Sequence, residues 1–84
     1  MDIQSFIHKM YSYNNKEKIL KSKVCYCFYC LNKIEKSKIT EYTNDNTAIC
    51  PMCGIDSIIP DILFLDELFI DKVIKEMNYK FFNE

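Results

Sequence analysis

Eighty-four residues leave room for one domain, spanning 1–84, and its core must be thin because a short chain buries a smaller share of its surface than a long one. Apolar residues make up 49%, too many for a disordered chain. No run approaches the ~18–20 apolar residues of a membrane span, and residues 1–10 lack the basic and apolar stretches of a secretory signal, so a cytoplasmic setting with no membrane partner is expected. The net charge of −1 hides a split, with eight lysines against three acids in residues 1–39 and three lysines against nine acids in residues 40–84.

Ile3, Phe6, Ile7 and Met10 follow the i, i+3, i+4, i+7 spacing of an amphipathic helix, with Asp2 as its cap. Asn14-Asn15 interrupts that pattern, and either residue suits the cap of a second helix through Lys16–Lys23 that buries Ile19 and Leu20. The β-branched and aromatic segment Val24–Leu31 predicts strand on either side of a tight loop. Ile39–Thr43 alternates apolar and polar residues, Asn44-Asp45-Asn46 is a turn signal, and Thr47-Ala48-Ile49 leads back, which reads as a β-hairpin. Ile55–Ile59 is short and stops at Pro60. The strongest helix is the last, where Phe69, Ile70, Val73, Ile74, Met77 and Phe81 form one apolar stripe. Asp66 is its expected N-cap, Glu67 sits in its first turn, and Asp71–Lys75 and Glu76–Lys80 are i, i+4 pairs in the favourable acid-first order.

The chemistry lies in the cysteines. Cys27-Phe-Tyr-Cys30 is followed after nineteen residues by Cys50-Pro-Met-Cys53. Two Cys-x-x-Cys pairs at such a separation are a zinc signal. Two intervening residues let a tight turn aim both sulfurs at one ion, and the hairpin brings the second pair to complete a tetrahedron. Gly54, the only glycine, follows the second pair, where it can take positive φ and let a backbone N–H point at thiolate sulfur. Pro51 presets φ inside that knuckle, and Asn32 is the nearest residue to the first pair that tolerates a left-handed conformation. Disulfides suit an oxidising compartment, a redox dithiol would need a βαβ pattern, and an iron–sulfur cluster also takes four cysteines; zinc at Cys27, Cys30, Cys50 and Cys53 is the favoured reading. Cys25 reads first as a buried filler. Its alternatives are a ligand displacing Cys27 or a reactive thiol, although the knuckle spacing favours Cys27.

Catalysis is not expected. Four cysteines close the metal shell, whereas a catalytic zinc keeps an open position. The His-x-Glu of zinc deaminases is missing, and the only histidine, His8, reads as a partly exposed helix residue.

Together, Cys25-x-Cys27-Phe-Tyr-Cys30-Leu and Cys50-Pro-Met-Cys53-Gly-Ile-Asp-Ser-Ile-Ile resemble a family of short, uncharacterised bacterial cytoplasmic proteins of zinc-ribbon type. The likeness runs from Asn15 through Pro60 and more weakly into the aromatic cluster Tyr79, Phe81 and Phe82. Tyr26 departs from the family, which tends to carry glycine between the first two cysteines. The resemblance implies zinc at the same four cysteines and adds Asp56 and Ser57 as functional or structural positions. A turn or cap role is the simpler reading of both.

The expected fold is small α+β, a zinc-ribbon or treble-clef-like core flanked by N-terminal helices and a C-terminal helix. The choice between the two hinges on whether Gly54–Ile59 is strand or the start of a helix. The leading function is a zinc-stabilised adaptor or inhibitor that binds another protein, because the metal site is closed, the surface is split in charge and twelve Phe and Tyr exceed what the core can bury. An origin in a phage or mobile element would make that partner host machinery. The alternative is a nucleic-acid-binding module using Lys16, Lys18, Lys21, Lys23, Lys33, Lys36 and Lys38, with Tyr26, Phe28 and Tyr29 as stacking residues. The absence of arginine weighs against specific base reading. A third reading is a thiol-redox or zinc-sensing switch centred on Cys25.

Overall fold

A computed structural model describes residues 3–61 and 66–82. In chain order they form α1 (Ile3–Tyr11), α2 (Lys16–Leu20), β1 (Val24–Cys27), β2 (Lys33–Glu35), a 3-10 turn (Lys36–Lys38), β3 (Ile58–Ile59) and α3 (Glu67–Phe82). The strands make one antiparallel sheet in the order β2-β1-β3, with Cys25 opposite Ile34 and Tyr26 opposite both Lys33 and Ile59. Among the described residues no helix is long and apolar enough to cross a membrane.

Successive side chains of a strand point to opposite faces, and β1 uses both. Val24, Tyr26 and Phe28 face a cluster built with Ile7 of α1, Ile59 of β3 and Ile70, Val73, Ile74 and Met77 of α3. Cys25 and Cys27 face the other way, into a cluster with Ile19, Ile34, Ile39, Ala48, Cys50 and Ile58. The sheet therefore separates an aliphatic and aromatic core under the helices from a cysteine-containing core on its far side.

Asp66 caps α3 as expected, accepting from the Phe69 N–H at 2.8 Å, and Lys75 pairs with Asp71 at 3.1 Å. Lys80 donates to Ser5 Oγ on α1 at 2.8 Å. The α3 stripe is buried from Ile70 to Met77, but Phe69 at its start stays exposed. Asn78 donates to the carbonyls of Phe28 (3.1 Å) and Tyr29 (2.8 Å), which ties α3 to the turn after β1.

Several expectations are corrected. The proposed cap Asp2 lies outside the described residues. On α1 only Ile7 of the four stripe residues is buried, and Ile3, Phe6 and Met10 are exposed, because α3 packs on the flank that carries Ile7 and His8. α2 stops at Leu20, which is exposed, while Ile19 is fully buried. Asn15 occupies the N-cap position of α2, as expected, and its carbonyl accepts from Ile19 N–H at 2.8 Å, but its side chain makes no capping hydrogen bond. Fully buried, it donates to Tyr11 O (2.8 Å) and Ile58 O (2.9 Å) and accepts from Ala48 N–H (2.9 Å), joining α1, β3 and the 39–49 loop. The expected hairpin over Ile39–Ile49 closes through one bridge, Tyr42 to Ala48, and its turn at Asn44–Asn46 ends in a left-handed Asn46. The strand returning after the first cysteine pair is β2, further along than Phe28–Leu31. After Cys53 the chain runs into strand β3, and no helix begins there.

Candidate metal centre

Each cysteine pair sits on a tight turn of the same construction. In the first, Cys27 N–H donates to Asn32 O at 3.0 Å and Leu31 N–H to Cys27 O at 2.9 Å. In the second, Cys50 N–H donates to Ile55 O and Gly54 N–H to Cys50 O, both at 2.9 Å. The residue directly after the second cysteine takes positive φ in both, Leu31 at 62° and Gly54 at 76°. Gly54 thus does what its position implied, but Leu31 rather than Asn32 is the left-handed residue of the first turn. The symmetry of the two knuckles was the available signal for it.

The turns aim four sulfurs at one point. The Sγ atoms of Cys27, Cys30, Cys50 and Cys53 all lie within 4.8 Å of one another. Cys27 Sγ is 3.6 Å from Cys53 Sγ, and Cys30 Sγ is 3.7 Å from Cys50 Sγ. These are not disulfide lengths, and all five cysteines are free. A tetrahedron with ~2.3 Å metal–sulfur bonds has edges of about 3.8 Å. Each measured separation links one knuckle to the other, so the set fits a single tetrahedral ion.

Donors surround the sulfurs. Cys30 N–H approaches Cys27 Sγ at 3.4 Å, Met52 N–H approaches Cys50 Sγ at 3.3 Å, and the Asn32 amide reaches Cys30 Sγ at 3.2 Å. The backbone N–H expected to point at sulfur in the second knuckle is that of Met52, while the Gly54 N–H bonds the Cys50 carbonyl. Buried Ser57 places its hydroxyl 2.9 Å from Cys27 Sγ, a role that its sequence position offered only as one of several. Such contacts orient metal ligands and stabilise their charge. Asp56, beside it, is exposed.

Burial pushes the Cys27 thiol strongly up, against the Cys30 N–H and the Ser57 hydroxyl. Burial also raises Cys50, opposed by the N–H groups of Cys53 and Met52. At Cys30 burial acts upward too, but the Asn32 amide and hydrogen bonds from Cys27 and Cys50 outweigh it and hold the thiol below its ordinary value. A coordinated cation reverses the preference of the buried thiols, since a coordinated thiol is deprotonated outright.

Cys25 stands apart from this set. It is fully buried on the same face of β1 as Cys27, and burial pushes its thiol up to about 12. It fills the core beside the four clustered sulfurs, and its burial disfavours the thiolate that a reactive cysteine needs.

His8 is not part of the ligand cluster either. Its ring stacks on Phe81 at 4.2 Å between centroids and meets Tyr13 and Phe28 edge-on. Burial lowers its pKa, and the charge of Asp56 acts the other way. Of the three aromatics considered for base stacking, Tyr26 and Phe28 are buried in the helix-side core, and only Tyr29 is exposed, with its ring against Phe82. Lys33 is paired with Glu67. Comparison with protein-family models, with curated proteins and with solved structures gives no match to this chain.

Proposed function

We propose that this chain is a non-enzymatic binding module of zinc-ribbon type, stapled by one structural zinc ion, and that it engages another protein. The observation that carries the reading is the pair of cross-knuckle sulfur separations, 3.6 and 3.7 Å, at the edge length of a zinc–thiolate tetrahedron. Four thiolates and no other donor favour zinc, and sulfurs within 4.8 Å of one another enclose one ion more readily than a multi-iron cluster. Cysteine occupies every corner of that tetrahedron, which leaves no position for a substrate. The strand after the second knuckle supports a ribbon over a treble clef.

Exposed apolar side chains support a protein partner. Ile3, Phe6 and Met10 form a stripe along the outer face of α1, each more than two-fifths exposed, and Tyr79 and Phe82 are exposed on α3. Apolar surface of this kind marks interaction sites. An inhibitor would use the same surface, by covering a site on its target. The test is capture from extract with the native chain beside a Phe6→Glu, Met10→Glu variant. The native chain should retain one defined protein that the variant loses at unchanged metal content and melting temperature. Identical captures by both would overturn the proposed surface.

A further inference from the structure

We infer that the hollow between α2 and the 44–46 turn is a binding site for the phosphodiester backbone of a flexible nucleic-acid strand. It measures about 610 Å³ and is lined by Asn14, Lys16, Lys18, Leu20, Lys21 and Asn46, together with one carboxylate, Glu17, so three ammonium groups face a single acid. Lys16 N–H donates to Asn46 O at 3.0 Å, and Asn14 N–H donates to the Thr47 side-chain Oγ1 at 2.8 Å, so two hydrogen bonds tie the walls together. Asn14 and Asn46 both take positive φ, which shapes the two rims.

Charge and rings identify the ligand class. Among the described residues, Lys16, Lys18 and Lys21 form no ion pair, whereas Lys33 and Lys75 each pair with a carboxylate. The Lys16 ammonium rests 5.2 Å over the Tyr42 ring, and Lys18 lies 6.0 Å from the Tyr11 ring. These cations are held against π faces, an attraction weaker than contact with a phosphate oxygen. An ammonium that moves to phosphate leaves its ring face open, and bases stack on such faces without sequence preference. A basic hollow whose Lys16 and Lys18 rest on the half-buried rings of Tyr42 and Tyr11 therefore suits a nucleic-acid strand better than an acidic peptide, which has charge but no base to stack. Lys23 and Lys36 extend the cationic surface at the end of the sheet, where Lys36 N–H bonds Lys23 O at 3.2 Å. With lysine as the only cation, the binding is indifferent to sequence. The site uses neither Tyr26 nor Phe28, which lie in the core.

The test is fluorescence anisotropy with a labelled single-stranded oligothymidylate across a salt series, with tripolyphosphate and polyglutamate as competitors. Contact with three phosphates gives a plot of log K against log salt with a slope of about −2. The Lys16→Gln, Lys18→Gln, Lys21→Gln variant should lose most of that slope and bind at least about ten-fold more weakly at low salt. Tyr42→Leu should weaken binding about ten-fold, while Lys72→Gln on α3 should leave it unchanged. Tripolyphosphate and polyglutamate should displace the oligonucleotide only at a large excess of charge. No binding at low salt, a triple variant within two-fold of the native chain, or either competitor matching the oligonucleotide charge for charge would overturn the site. Metal content is read separately on each variant, so a failed zinc reading and a failed phosphate site are distinguishable.

Discussion

Leu31 and Gly54 occupy the same place in the two knuckles, yet one carries a side chain against a φ of 62° and the other carries none at 76°. A left-handed L-residue costs about 1–2 kcal/mol, offset in part because glycine loses more freedom on folding. Leu31→Gly should therefore raise stability by up to about 1 kcal/mol, and Gly54→Ala should lower it by about 1 kcal/mol, both read from urea midpoints. A Cβ on Gly54 meets nothing within 4 Å, so the loss there is conformational and involves no clash. Ser57 argues differently. Its hydroxyl is the buried side-chain partner of Cys27 Sγ outside the four-cysteine set, and Ser57→Ala should lower zinc affinity about ten-fold in chelator competition. At Asn15 three hydrogen bonds, two of them buried, depend on one amide, and removing it strands Ile58 O and Ala48 N–H. Asn15→Ala should cost about 2–4 kcal/mol in urea unfolding, well above the loss of a surface cap.

Legibility was greatest for the elements whose signal is local. The α3 stripe and the two cysteine pairs could be read because a 3.6-residue period and a two-residue spacing each specify a shape without reference to the rest of the chain. α1 shows the limit of this reasoning: its apolar spacing specifies a face but not what covers it, and α3 took the side carrying Ile7 and His8. β2 was missed because a three-residue strand with one buried side chain, Ile34, leaves almost no pattern. Asn15 read as a cap because its partners are distant in sequence, with Ala48 and Ile58 supplied by other elements. The α1–α3 contact also makes a prediction about pH. His8 lies between Phe81, Tyr13 and Phe28, and burial lowers its pKa from 6.5 despite the opposing charge of Asp56. The unfolded chain therefore takes up the proton first as pH falls. The contribution of neutral His8 is complete above its unfolded value and is lost as pH drops through the folded one. Between about pH 7 and pH 5 the native chain should lose more stability than a His8→Phe variant, and parallel losses would count against this packing.

On the scale of the whole molecule, β1 divides the chain into two half-cores that rely on different forces. The helix side is held by burial of Ile70, Val73, Ile74 and Met77 against Tyr26, Phe28 and Ile59. The other side has no aromatic ring among its eight buried members, which are four isoleucines, one alanine and three cysteines. Apolar burial alone supplies little stability to a core of this size, whereas a structural zinc ion contributes an apparent ~10–16 kcal/mol at neutral pH. The two halves are linked by the Asn78 bonds to Phe28 and Tyr29, so order in the first knuckle is transmitted to α3. The short length that first marked the chain as marginal is thereby connected to its cysteine content. The most direct test is the metal content of protein purified without added metal, followed by circular dichroism after treatment with a strong chelator. One zinc equivalent per chain, with helical signal lost on chelation and regained on adding zinc, is the expected result. Less than half an equivalent of tightly held metal, with the fold unaffected by the chelator, would contradict the account.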